Sequence, residues 1–368
     1  MLQFLVELTP LMTAQQEQYE LSRFFEVGSL HFDKQPAPEK ILPIITEPYL
    51  STLHLMRENA IRPDPVLTRG IALARNLTNN LRRNVGLKTV PSNEMEVILL
   101  EKDKFDSYYR VLGGLGEDEK IQAIGFSAQL LAPVVVQHHP DLPAYFLASL
   151  ALHEFIHRWL ELSSTVFTVK QENNVRHLSY LSSRDGLTIY KTFRKYPDIS
   201  PQRQGMLLNE IPNLIFQRAF IELVLDDPNY SMLFEEEIEK RDKALAINGL
   251  SHVGYHYLNA QGYTCLLDRS LTYHNTRGVA VTEDTITPIT LLQLAGDLLK
   301  IYSEQDKTTS FPELLLHAKI NPRFQSRIKN IMDARMGDGF FNRLKHAKYE
   351  PADIMSILSE LQVKLDFL

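Results

Sequence analysis

Residues 144–162, AYFLASLALHEFIHRWLEL, decide how the rest of the chain is read. Apolar side chains occur on nearly every side of the helix this stretch would form, whereas a surface helix keeps one polar face, so the helix is predicted to be buried. A membrane is the wrong surrounding for it, because His153, Glu154, His157 and Arg158 would all have to enter hydrocarbon. The preceding HHPD offers Asp141 as an N-cap and places Pro143 in the first turn, and Ser163 and Ser164 mark the end. A helix of this kind needs other elements around it, and the flanking sequence supplies them.

Upstream, Leu67, Ile71, Ala74, Leu77 and Leu81 recur at spacings of three and four, which predicts an amphipathic helix from Pro65 to Asn84. MEVILLE, residues 95–101, is a short apolar run of strand length. IQAIGFSAQLLAPVVV, residues 121–136, is rich in apolar and β-branched residues, with Gly125 and Pro133 as bulge or edge positions. These read as strands of one sheet beside the central helix. Downstream, VFTVKQ and LTIYKTF alternate within residues 165–193, with RDG as a turn between strands. Helical spacing resumes from Met206 to Asp226, and the remainder reads mostly as helices between Gly and Pro breaks. The first residues, MLQFLVELTPLM, lack a basic leader and carry Glu7, so they predict a strand or short helix rather than a signal peptide.

Composition narrows the partners. With 44% hydrophobic and 23% charged residues the 368-residue chain is ordinary globular material. Its single cysteine, Cys265, excludes a disulfide scaffold and a thiolate metal cluster, and fits a reducing, cytoplasmic setting. A net charge of −6 gives no general attraction to nucleic acid or to an anionic membrane.

His153-Glu154-Phe155-Ile156-His157 is HExxH. Two histidines four apart on a helix project from one face within reach of a single metal ion, and neutral imidazoles suit zinc. Glu154, on the same turn, is placed to take a proton from a metal-bound water whose pKa the metal lowers to roughly 7. In a buried helix, two histidines and a glutamate would be costly unless a metal or a paired polar network satisfied them.

With this motif, residues of about 65 to 270 resemble the zincin superfamily of zinc metallopeptidases. The metzincin branch continues HExxHxxGxxH, but Leu160 and Ser163 stand where its Gly and third His belong. The gluzincin branch instead takes a Glu from a later helix, often after Asn, and Leu208-Asn209-Glu210, 53 residues beyond His157, is similar to that element. Glu222 and Asp226 form a rival ExxxD, similar to a thermolysin-like pattern. However, Ile211, Leu214, Ile215, Ala219, Phe220 and Leu223 draw the apolar face, and Glu222 shares its side with Arg218 in a polar stripe. Glu210 would sit at the start of its helix, with Pro212 implying a late start or a kink. Glu161, one turn past His157, would lie about 6 Å further along the axis, so support or an ion pair is expected of it rather than ligation.

The resemblance also implies an oxyanion donor from a later helix. Ser251–Tyr263 holds His252, Tyr255, His256, Tyr257 and Tyr263, of which Tyr257 is taken as the candidate. From His317 to Tyr349 eight Lys or Arg (319, 323, 327, 329, 335, 343, 345, 348) read as the solvated face of helices.

The expected architecture is α+β: a zincin-like core with a small mixed sheet on the HExxH helix and a mainly helical C-terminal part. Residues 1–60 would form an N-terminal segment of unreadable role, 61–230 the zincin-like core, and 231–368 a helical part closing the cleft. The expected function is that of a soluble gluzincin-like zinc metallopeptidase. Its metal ligands would be His153, His157 and Glu210, and its base Glu154. A peptide or protein substrate would lie extended along the strand near Phe126 to Val136. A zincin-fold protein that binds without cleaving, or a metal-dependent hydrolase of a non-peptide substrate, are the alternatives, and the intact Glu154 speaks against the first.

Overall fold

The structure is a computed structural model. With side chains it describes residues 50–112, 123, 125–127, 133–138, 142–161, 186–189, 204–239 and most of 310–363; the remaining assigned segments are described as backbone. In chain order the elements are strands β1 (Leu2–Leu8) and β2 (Phe25–Val27), helices α1 (50–58) and α2 (Pro65–Asn84), strand β3 (Val97–Leu100), helix α3 (Lys102–Gly113), and strands β4 (Gly125–Ser127) and β5 (Val134–Gln137). Helix α4 (Ala144–Trp159) carries HExxH. Strands β6 (Ser163–Glu172), β7 (Val175–Asp185), β8 (Thr188–Lys191) and β9 (Gln202–Gln204) separate it from α5 (Met206–Asp226). Strands β10 (Tyr255–Leu258), β11 (Thr264–Leu267) and β12 (Tyr273–His274) follow. The C-terminal helices are α6 (Phe311–Ile320), α7 (Gln325–Met336), α8 (Phe340–His346) and α9 (Pro351–Leu365). Among the described residues no helix is long and apolar enough to cross a membrane.

The small mixed sheet has the order β3-β5-β4, with β3 parallel and β4 antiparallel to the central β5. Side-chain alternation splits it between two cores. Ile98, Leu100, Val135 and Phe126 pack with Leu53 and Met56 of α1 and Phe105 of α3, while Leu99, Val134 and Val136 pack against α2 and α4. Phe126 therefore turns away from α4, and Gly125, its neighbour on β4, turns toward it. Ile61 bridges to Leu99 beside β3, whereas among the described residues no strand pairs with the outer edge of β4.

The hairpin around RDG forms as its alternation requires, with Ser182–Asp185 of β7 paired to Thr188–Lys191 of β8. It belongs to a second, antiparallel sheet of order β2-β1-β6-β7-β8-β9, in which β1 pairs along β6. Strands β6–β9 of this sheet are inserted between the two helices that carry HExxH and Glu210, whereas β1 and β2 come from the start of the chain.

Three sequence readings change. Pro143, rather than Asp141, is the N-cap of α4; it offers no side-chain acceptor, and the Glu237 carboxylate instead accepts from the Ala144 N–H at 2.9 and 3.0 Å. Asp141 lies outside the described residues. Helix α5 starts at Met206 and runs past Pro212, so Glu210 stands in its second turn rather than at its start. Burial of Leu207, Leu208, Ile211, Leu214 and Ile215 against the C-terminal helices holds a helix that loses one N–H donor at Pro212. The stretch around Tyr257 is a strand, not a helix: the aromatic residues of YHYL and the β-branched Thr264 of TCLL favour the antiparallel β10–β11 pair.

Candidate metal centre

Helix α4 is buried at every position except two, and those two are His153 and His157. Their side chains keep 12% and 16% of their surface, and Glu210 keeps 22%, so the group is reachable from one side while the rest of α4 is sealed. Helix α5 packs across α4 and brings Glu210 to the histidine pair. The Nε2 atoms of His153 and His157 are 3.2 Å apart, and Glu210 Oε2 lies 3.2 Å from the first and 3.3 Å from the second. A cation bound by bonds of 2.0–2.1 Å in a tetrahedral site has neighbouring ligand atoms about 3.3 Å apart, so these three atoms stand as three of its corners. They form a possible metal site, the one group of this kind among the described residues.

Glu222 and Asp226 do not join it. Glu222 is twelve residues beyond Glu210, about 18 Å along the axis at 1.5 Å per residue, and it accepts from Arg218 Nε at 3.0 Å on a half-exposed face. The polar stripe expected of those residues is where they lie.

Glu161 supports rather than ligates. Its Oε1 is 2.7 Å from His157 Nδ1, 2.5 Å from Lys319 Nζ and 3.1 Å from Asn209 Nδ2. Burial alone would push its pKa up; Lys319 and then His157 outweigh this and hold it below the usual carboxylate value. An ionised carboxylate only accepts, so His157 carries its hydrogen on Nδ1 and turns Nε2 toward Glu210. Asn209 also accepts from the Leu187 N–H at 2.8 Å, and Asn213 contacts Lys319 through its Oδ1 and the His153 carbonyl through its Nδ2, at 3.5 Å. Gly186, at φ +56°, closes the β7–β8 turn directly over this network, where a Cβ would collide with Asn209 Oδ1. The Nδ1 of His153, by contrast, is buried with no hydrogen-bond partner among the described residues.

Glu154 is buried next to the open pair and abuts β4. A Cβ at Gly125 would stand 2.9 Å from Glu154 Oε1 and 3.0 Å from its Cγ, so the glycine leaves the carboxylate its room. Burial raises the Glu154 pKa, and the His153 and His157 charges pull it back without cancelling the rise. For His157 burial works downward, but Glu210 and Glu161 prevail and raise it well above 6.5. Burial would raise Glu210, yet His157 first and His153 with it hold it well below the ordinary carboxylate range. Without a cation, the proton on His157 balances the carboxylates. A cation bound by the triad would take its place.

Sequence reading named the triad, Glu154 and the role of Glu161. It missed Asn213, Gly125 and Gly186, and it counted Lys319 among solvated basic residues although that side chain is fully buried. One signal was available: Lys319 lies among Leu314, Leu315, Leu316 and Ala318 of an apolar helix, where a lone cation asks for a buried partner. Tyr257 stands on β10, paired with Cys265, and its side chain lies outside the described residues. Compared with protein families, with curated proteins and with solved structures, the chain matches none, so its residues and their geometry carry the functional argument.

Proposed function

We propose that this chain is a zinc-dependent metallopeptidase of the gluzincin type, with His153, His157 and Glu210 as zinc ligands and Glu154 as general base and then acid. The observation that carries the proposal is the group of three ligand atoms 3.2–3.3 Å apart, solvent-accessible on one side, with a buried glutamate of raised pKa on the same helix. Two imidazoles and one carboxylate are a donor set zinc favours, and three protein ligands with an open side match catalytic rather than closed structural sites. When bound, zinc would supply a water that is acidic near neutral pH and a Lewis acid for a carbonyl oxygen.

The chain's own residues do the rest. Glu154, desolvated and confined by Gly125, takes a proton from the attacking water and returns it to the leaving nitrogen; a raised pKa suits both steps. Glu161 holds His157 in the ligating tautomer. A peptide substrate adds to the outer edge of β4, backbone to backbone, which brings its scissile bond beside Glu154. The strand containing Tyr257 supplies the candidate oxyanion donor.

The test is elemental analysis of the purified protein together with cleavage of a peptide library. One zinc ion per chain and measurable cleavage are expected for the wild type. Glu154→Gln should keep the zinc and lose about 10²- to 10⁴-fold in turnover. Full activity in Glu154→Gln would sink the catalytic assignment, and a wild type that takes up no metal from added zinc would sink the metal site.

A further inference from the structure

Lys319 is the most deeply placed cation near the site, with none of its surface exposed. It reaches the site from α6, 158 residues after Glu161 in sequence, and lies 2.5 Å from Glu161 Oε1 while also contacting Asn213 Oδ1. Burying a lysine beside a glutamate gains little for stability, since apolar residues of the same volume would commonly serve as well. Its position suggests another use. Glu161 Oε1 is the acceptor shared by Lys319, His157 Nδ1 and Asn209 Nδ2. Without Lys319 that carboxylate would be an uncompensated anion one helical turn from the triad, held only by His157 and Asn209 among the described residues and free to turn away from His157 Nδ1. The ammonium group balances its charge and fixes it on the far side of the imidazole ring.

We infer that Lys319 is a positioning residue of the metal centre: acting through Glu161, it sets the tautomer and orientation of His157, and through Asn213 it ties α5 to the backbone of α4 at His153. The inference rests on the metal-site reading above and adds a device from the C-terminal helices to it. The folding of α6 onto α5 thereby becomes a condition of a competent site.

The test compares wild type, Lys319→Met, Glu161→Gln and the double variant. Zinc affinity is measured by chelator competition, the ligand field by the visible spectrum of the cobalt-substituted protein, and the His157 tautomer by ¹⁵N chemical shifts in the metal-free protein at a pH high enough for the ring to be neutral. Circular dichroism shows whether each variant is folded. Each single variant is expected to lose about 10- to 100-fold in zinc affinity. Lys319→Met should shift the cobalt spectrum and let His157 exchange tautomers, and the double variant should be no worse than the weaker single one, because the two residues act as a unit. A folded Lys319→Met with wild-type affinity, spectrum and tautomer would overturn the inference, and so would fully additive losses. Should Lys319→Met fail to fold, Glu161→Gln decides: unchanged zinc affinity there removes the link through which Lys319 acts. A wild type that binds no zinc defeats the metal-site reading instead, and the tautomer in the metal-free protein still tests Lys319 separately.

Discussion

Helix α5 offers a glutamate toward each end, and the two have opposite fates. In its second turn, Glu210 faces α4 with Asn209 and Asn213 beside it, each satisfied by a partner from another element. Twelve residues on, Glu222 pairs, among the described residues, with Arg218 of its own helix, and its side chain is 45% exposed. Both glutamates fit a known spacing. What separates them is which turn of α5 crosses α4, and crossing is decided by packing along the whole helix: Leu207, Leu208 and Ile211 bury against the C-terminal helices, while Phe220 and Val224 bury in the α2–α4 core. A ligand motif is a statement about residue types, and the crossing point selects which copy of the type can act.

The contrast is most easily broken by truncating each carboxylate. Glu210→Ala should lower zinc affinity by more than about 100-fold, beyond what loss of a supporting residue costs, whereas Glu222→Ala should bind one zinc ion per chain as the wild type does. Equal losses, or loss in Glu222→Ala alone, would reverse the assignment.

The inner turn and the histidine it faces should also respond to pH. His157 is raised well above 6.5 in the metal-free fold, so the folded chain holds more protons than the unfolded one. The stability this confers is complete below about pH 6.5 and fades as pH climbs through the folded value. Glu210, depressed below 4.5, contributes stability that is present above that value and is lost only as pH falls through its folded pKa. Zinc must displace the His157 proton, so its affinity rises over the same interval in which the metal-free protein weakens. The gap in Tm between zinc-loaded and chelator-treated protein should therefore widen from about pH 6.5 upward, in wild type and Glu222→Ala alike. A gap that stays flat or narrows would show that His157 is not the group being displaced.

A smaller effect is expected at the turn that covers Asn209. Gly186→Ala forces a side chain into the left-handed region and onto Asn209 Oδ1, and should destabilise the fold by about 1–3 kcal/mol in denaturant titration. Unchanged stability would mean that the β7–β8 turn does not press on the inner end of α5. Smallest of all, Glu222→Gln should cost less than about 0.5 kcal/mol, the ordinary worth of an exposed i,i+4 pair. A loss of several times that would show the outer turn to be more than a solvated stripe.

How much of this was legible beforehand depended on how local the cause was. Helix α2 and helix α4 follow from their spacing, β3 from its apolar run, and the β7–β8 hairpin from RDG, because each is set by contacts a few residues apart. The N-cap of α4 was misread because its acceptor, Glu237, lies 93 residues away. Tyr257 was placed on a helix by expectation from later zincin elements, although the aromatic residues of YHYL and the β-branched Thr264 of TCLL favour paired strands.

By itself the sequence determined that two histidines and a glutamate share one buried helix and that a later helix brings candidate carboxylates. Periodicity and composition suffice for those conclusions, since side chains four apart on a helix meet whatever the rest of the chain does. Only the tertiary structure decided between Glu210 and Glu222, set Gly125 against Glu154, and turned Lys319 from an apparent surface charge into the buried partner of Glu161. Those outcomes depend on which surfaces of distant elements come into contact, and that is fixed by the packing of the cores rather than by any spacing along the chain.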